Sequence, residues 1–163
     1  MDVAVGIGWA TAAPGQVVVA LVLAVQFAVR LRDSAPLLLG AVGMLALLAV
    51  PVAKELVGRA RPPAVVLAQL PDSPAFPSGH AATSAVFAGV VYLLAAPHLT
   101  RRGRRTLAVA ALCYTFVVGL SRVYLGVHWF TDVVAGWALG AFVVGLLAAL
   151  APGFSRTGRP RAR

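Results

Sequence analysis

Residues 129–150 read WFTDVVAGWALGAFVVGLLAAL, 22 positions with a single ionisable side chain, Asp132. About 20 apolar residues in helical conformation cross the hydrocarbon core of a bilayer. Four further stretches have the same character, roughly 14–32, 35–53, 79–97 and 106–125. Pro14 suits the first turn of the first of these, where a missing N–H costs nothing. Gln26 and Arg30 interrupt that span, and Arg30 can extend to the interface. Small residues such as Gly40, Gly43, Gly89, Gly136, Gly140 and Gly145 allow helices to approach closely in lipid. The chain is 60 % hydrophobic and 12 % charged over 163 residues, whereas a soluble domain is nearer half apolar and a quarter charged. The expected fold is all-α: a multi-pass transmembrane bundle of about five spans, one domain over 1–153, followed by a basic, disordered cytoplasmic tail at 154–163.

The positive charge is grouped. RLRDS (30–34) carries two arginines, TRRGRR (100–105) four, and the tail another four at Arg156, Arg159, Arg161 and Arg163. Five spans place these three groups on one side, which the positive-inside rule makes cytoplasmic. A net charge of +9 spread over a soluble surface would suggest nucleic acid. Grouped beside apolar spans it reads as topology, and no nucleic-acid partner is expected. The single cysteine, Cys113, excludes an intrachain disulfide, and no Cys/His spacing suggests zinc. It reads as a small packing residue.

The other side presents the N-terminus, the segment 54–78 and the turn 121–128. It carries Lys54, Arg59, Arg61 and Arg122 against the positive-inside tendency, so something there requires cations. Three clusters stand out. In KELVGRARP (54–62), Lys54 ends the second span, and Pro62 is expected to stop helix and keep Arg61 extended. Arg59 and Arg61 have an ordinary reading as interfacial anchors. In FPSGHAATS (76–84), Pro77 and Ser78 make a helix start, and Gly79 allows close backbone approach. A helix N-terminus offers free N–H groups to an anion, and His80 would sit beside it. In SRVYLGVHWFTD (121–132), a helix beginning near His128 puts His128 and Asp132 on one face. The carboxylate can then accept the Nδ1–H of the imidazole and leave Nε2 free as nucleophile or base. Asp132 alone has an ordinary reading as a helix-start carboxylate, but ionisable residues at membrane depth are costly and usually functional. Trp129 and Phe130 read as interface anchors, Trp137 and Tyr92 as core or lipid-facing. His98 lies on the opposite, cytoplasmic side. The segment 63–76 is expected to be a short outward helix or loop.

Together the clusters read Lys54-x6-Arg61-Pro62, Pro77-Ser78-Gly79-His80 and Ser121-Arg122-x5-His128-x3-Asp132. This resembles the three-part signature of the type 2 phosphatidic acid phosphatase superfamily, over about residues 35–150. The resemblance implies a metal-independent, cofactor-free phosphatase. His128 would attack phosphorus and form a phosphohistidine, Asp132 would orient His128, and His80 would protonate the leaving oxygen and then activate water. Lys54, Arg61, Ser78, Gly79 and Arg122 would hold the phosphate oxygens. Membrane members commonly have six spans, and here MDVAVGIGWATAA is too short to supply the first. The protein works with five, the chain starts late, or a homo-oligomer or other helix-donating partner completes it.

The expected activity is removal of a phosphate from a lipid at the outer face of the cell membrane. Phosphatidic acid, phosphatidylglycerophosphate and a polyprenyl pyrophosphate such as undecaprenyl pyrophosphate are the candidate substrates. The same intermediate would also serve a lipid phosphotransferase. A non-catalytic membrane subunit would not need the complete signature, and no inverted repeat favours a transporter.

Overall fold

The computed structural model describes residues 47–63 and 72–150 continuously, with scattered positions between 18 and 43. The first two expected spans lie largely outside the described residues, as do most of segment 63–76 and the tail. Among the described residues four continuous α-helices are traced: α1 (Ala49–Val57), α2 (Gly79–Ala95), α3 (Arg101–Tyr124) and α4 (Phe130–Leu150), with a 3-10 turn, Ala96–His98, between α2 and α3. Among the described residues three segments are long and apolar enough to cross a membrane: Gly79–His98, Arg101–Tyr124 and Phe130–Ala149. The fold is an all-α, multi-pass membrane bundle.

The helix ends follow local chemistry. Gly58 adopts φ +60° and donates its N–H to the Lys54 carbonyl, which stops α1. This left-handed cap is a glycine position, and it acts four residues before Pro62, the expected terminator. Ser78 is extended and its side chain accepts from the Ala81 N–H, opening α2. Thr100 caps α3 in the same way by accepting from the Gly103 N–H at 3.2 Å. The arginines at 101, 102, 104 and 105 are therefore the exposed first turns of α3 and not a loop. Thr100 satisfies one of the orphan N–H groups there, and water screens the arginines from the helix dipole. α4 begins at Phe130, so His128 precedes the helix and only Asp132 lies in its first turn.

α2 lies at the centre, with Ala81, Ala82, Val86, Val90 and Leu94 buried. Val86, Val90 and Leu94 pack with Val143 and Leu147 of α4. Apolar burial gains little for helices already in lipid, so close approach has to hold them together. A Cβ on Gly140 would stand 2.5 Å from Ala85 Cβ, and one on Gly136 would stand 2.5 Å from the Ser78 carbonyl oxygen. α3 leans on α2 and contacts α4 through Gly119, where a Cβ would meet Trp137 at 2.4 Å. Beyond Trp137 the two helices part around an apolar cleft of about 560 Å³ lined by Gly89, Ala111, Ala141 and Gly145. Gly145 consequently meets nothing within 4 Å and is no packing glycine. Cys113 is exposed on α3 beside the outward Val109 and Val117, so it faces lipid and is not the packing residue expected.

Gly136→Val should be destabilising by roughly 1–3 kcal/mol, because overpacking against backbone cannot relax. Gly145→Ala should be neutral or mildly stabilising, by up to about 1 kcal/mol from helix propensity. Thermal melts of both variants in detergent check the contrast.

Candidate active site

Residues Ser78, Ser121, Arg122, His128 and Asp132 are buried polar groups, and all lie at one end of the bundle. The chain reverses at each connection, so the end of α1, the start of α2, the end of α3 and the start of α4 meet there. Lys54, Arg61, Gly79 and His80 lie on the same ends. His98 and the arginines at 101–105 lie at the other end, and His98 is exposed there.

Asp132 is 0 % exposed and its polar groups are satisfied. Oδ1 accepts from Arg59 Nη1 at 2.8 Å. Oδ2 accepts from the Trp129 N–H at 2.9 Å, which is the backward half of a capping box at the start of α4. Its backbone carbonyl accepts from the Ser78 N–H at 2.9 Å, so the first turns of α2 and α4 are tied together. Gly136 makes that contact sterically available.

His128 is 5 % exposed, and its Nδ1 stands 3.5 Å from Asp132 Oδ2. Nδ1 has no hydrogen-bond partner, so the expected bond to the carboxylate is an approach and not yet a bond. Burial is the largest influence on this imidazole, followed by the positive charge of Arg61, Lys54 and His80. A hydrogen bond to the Ala75 backbone works the other way. Together they push the imidazole down to about 3 from its ordinary 6.5. A ring held neutral at physiological pH keeps a lone pair available for nucleophilic or basic work.

The cations converge. Lys54 is within electrostatic reach of Arg61 and Asp132, and its ammonium donates to the Pro74 carbonyl. Arg61 donates to the Val127 carbonyl at 2.7 Å and the Ser73 carbonyl at 3.0 Å. Burial works against its charge and Asp132 works for it. Arg122 is only 6 % exposed, and its Nε and Nη2 donate to Ser121 Oγ at 3.1 and 3.0 Å. Gly79 opens α2 with free space around it, since a Cβ would meet only Val50 at 3.7 Å. Lys54, Arg61, Ser78, Gly79, His80, His128 and Asp132 thus lie together, and Arg122 is buried at the same end of the bundle.

Other residues emerge only in three dimensions. Arg59 is not a bare interfacial anchor: it pairs with Asp132, donates to Thr131 Oγ1 at 2.7 Å and lies 5.5 Å over the Trp129 ring. Trp129 is partly exposed, as an anchor should be, yet its Nε1 donates to the Ala60 carbonyl at 3.1 Å. The Ala75 N–H donates to the Arg59 carbonyl at 2.8 Å. Nothing in the neighbouring sequence points to the carboxylate that Arg59 uses, which is 73 positions away. The proline two positions after Lys54-x6 marks Arg61 but nothing marks Arg59.

Helices of membrane-spanning length with a buried histidine, a carboxylate and several cations at one end define an integral membrane protein with a polar, cation-rich cluster at that end. The family model of the PAP2 superfamily matches residues 35–156, and the chain belongs to this superfamily. It is 39 % identical over 92 residues to phosphatidylglycerophosphatase B of Bacillus subtilis (strain 168), covering 55 % of this chain and 44 % of the relative. It is 34 % identical over 97 residues to an undecaprenyl-diphosphatase of Sulfolobus acidocaldarius, covering 56 % of this chain and 43 % of the relative. The matched part therefore spans under half the length of these curated relatives. The structure is similar to the crystal structure of a transmembrane PAP2-type phosphatidylglycerolphosphate phosphatase from Bacillus subtilis, with TM-score 0.85 and 28 % identity over 96 % of this chain and 78 % of that one.

The depressed His128 value has a consequence for stability. Between about 6.5 and about 3 the unfolded chain binds a proton that the folded chain refuses, so stability falls as pH falls through that window. Melting temperature in detergent should drop between pH 6.5 and 4, and His128→Gln should flatten the drop.

Proposed function

We propose that this protein is a lipid phosphatase working through a phosphohistidine at His128. The observation that carries the reading is the meeting of a buried neutral imidazole with Lys54, Arg61, His80 and Asp132 at one end of a membrane bundle. Two relatives with phosphatase names support it. In the first step the Nε2 lone pair of His128 forms a bond to phosphorus while the bond from phosphorus to the leaving oxygen breaks. His80 gives its proton to that oxygen. In the second step His80 takes a proton from water, the hydroxide forms a bond to phosphorus, and the P–N bond breaks to restore His128. Lys54, Arg61, Arg122, Ser78 and the backbone at Gly79 hold the equatorial oxygens, where transition-state charge spreads. Arginines grip two oxygens at once and lysine acts as a point charge.

The substrate class is a lipid carrying a terminal phosphate or pyrophosphate: phosphatidic acid, phosphatidylglycerophosphate or a polyprenyl pyrophosphate. Grouped arginines at the far end of the bundle support a site on the outer face of the cell membrane. Phosphate release from a panel of these lipids in detergent with EDTA tests the proposal. Wild type should release phosphate, and His128→Ala should lose at least about 10³-fold in kcat. Comparable turnover in a folded His128→Ala protein would remove the nucleophile assignment.

A further inference from the structure

Arg59 is a cation of the outward end that the proposed chemistry leaves unused. Lys54, Arg61 and Arg122 are assigned to phosphate, whereas the guanidinium of Arg59 points to side chains of the α4 start. It spans Asp132 Oδ1 and Thr131 Oγ1 at 2.8 and 2.7 Å. It also covers the Trp129 ring, whose Nε1 returns to the Ala60 carbonyl beside Arg59. The Arg59 carbonyl takes the Ala75 N–H, so one residue bonds to the approach to α2 and to the first turn of α4. Asp132 is fully buried while the side chain of Arg59 is 38 % exposed. Arg59 is therefore the route by which the buried carboxylate is neutralised from the water side.

We infer that Arg59 is a positioning residue of this site: it fixes the Asp132 carboxylate and sets how much of its negative charge reaches His128. The inference rests on the proposed role of His128. The carboxylate has two oxygens. One is given to Arg59 and the other to the Trp129 N–H, and the latter is the oxygen 3.5 Å from His128 Nδ1. Rotation of the carboxylate about its χ angle would break both bonds, so the distance to His128 is held by Arg59 together with the Trp129 N–H. Charge matters as well as place. The groups around His128 are Lys54 of α1, Arg61 of the connecting segment, His80 of α2 and Asp132 of α4, with Arg122 of α3 buried at the same end. Without Arg59 the Asp132 charge is offset only by the more distant Lys54 and Arg61, and more of it acts on His128. It draws a proton onto the imidazole, and a protonated ring cannot attack phosphorus.

The test is the pH profile of kcat/KM for dioctanoyl phosphatidic acid in detergent micelles with EDTA. Wild type, Arg59→Gln, Arg59→Lys and His128→Ala are compared, each with a thermal melt. The ionisation of the substrate is common to all and cancels in the comparison. Arg59→Gln should move the acidic limb upward by on the order of one pH unit, as expected for an unmasked carboxylate beside the ring, and should lower the plateau. Arg59→Lys should restore the limb to within about 0.3 unit and kcat/KM to within about tenfold, because the charge returns without the fork geometry. A loss in Arg59→Gln with an unmoved limb would make Arg59 merely structural and overturn the inference, as would a wild-type profile in that variant. If Arg59→Gln does not fold, Arg59→Lys decides: a wild-type limb upholds the inference and a limb displaced by a full unit ends it. His128→Ala separates the two levels. Wild-type turnover there fails the nucleophile reading and the inference with it, whereas an inactive His128→Ala with an unmoved Arg59→Gln limb fails the inference alone.

Discussion

A carboxylate with no access to water sits at the first turn of a membrane helix, and the arrangement of this end follows from satisfying it. Burying an unpaired charge is among the most expensive things a fold can do. Asp132 avoids that cost by collecting a guanidinium and a helix-start N–H on its carboxylate, while its backbone carbonyl takes the N–H of Ser78. Each partner comes from a different segment. Arg59 comes from the connection after α1, Trp129 from the turn before α4, and Ser78 from the cap of α2. The three signature segments are far apart in sequence, and Asp132 is where their backbones become one structure.

The same end gathers positive charge. Lys54 and Arg61 both lie within electrostatic reach of Asp132, the carboxylate that Arg59 also partners, and Arg122 is buried at the same end. Carbonyl oxygens of Pro74, Ser73 and Val127 take up some of the N–H groups. Carbonyls orient donors but do not cancel charge. Like charges held together at reduced dielectric repel strongly, so the arrangement is best balanced by an anion with several oxygens. In the proposed reaction a phosphate meets this need, and the positive N-terminal end of α2 adds to it. The neutral state of His128 follows first from burial and then from the same field, because a further cation placed there is disfavoured.

Much of this was legible in the sequence because it depends on local rules. Spans of about 20 apolar residues, the Ser78 cap and the spacing Ser121-Arg122-x5-His128-x3-Asp132 are all read along the chain. Helix ends were less legible. Gly58, not Pro62, ends α1, since a left-handed cap acts before the proline is reached. His128 was expected on the helix, but the Asp132 bond to the Trp129 N–H fixes the helix start two residues after His128, at Phe130. Arg59 was illegible for a plainer reason. Its partner lies 73 positions on, and no spacing rule on its own segment connects them. Gly136 and Gly145 look alike in sequence, yet one faces the Ser78 carbonyl and the other an open cleft.

The 3.5 Å between His128 Nδ1 and Asp132 Oδ2 has a bearing on catalysis in the proposed reaction. A neutral imidazole is a modest donor, so in the resting site it gains little from the carboxylate. As Nε2 bonds to phosphorus the ring becomes cationic, and Nδ1–H becomes a charge-assisted donor, a class of bond roughly twice as strong as a neutral one. An interaction that is weak before the bond forms and strong while it forms lowers the barrier, whereas one equally strong in both states would not. Holding Asp132 close without a bond therefore suits the reaction better than a resting hydrogen bond would. The burial and neighbouring cations that keep His128 neutral serve the same end. They disfavour the imidazolium until an anionic phosphate is present to offset it, so charge on the ring is stabilised only when there is a substrate to attack.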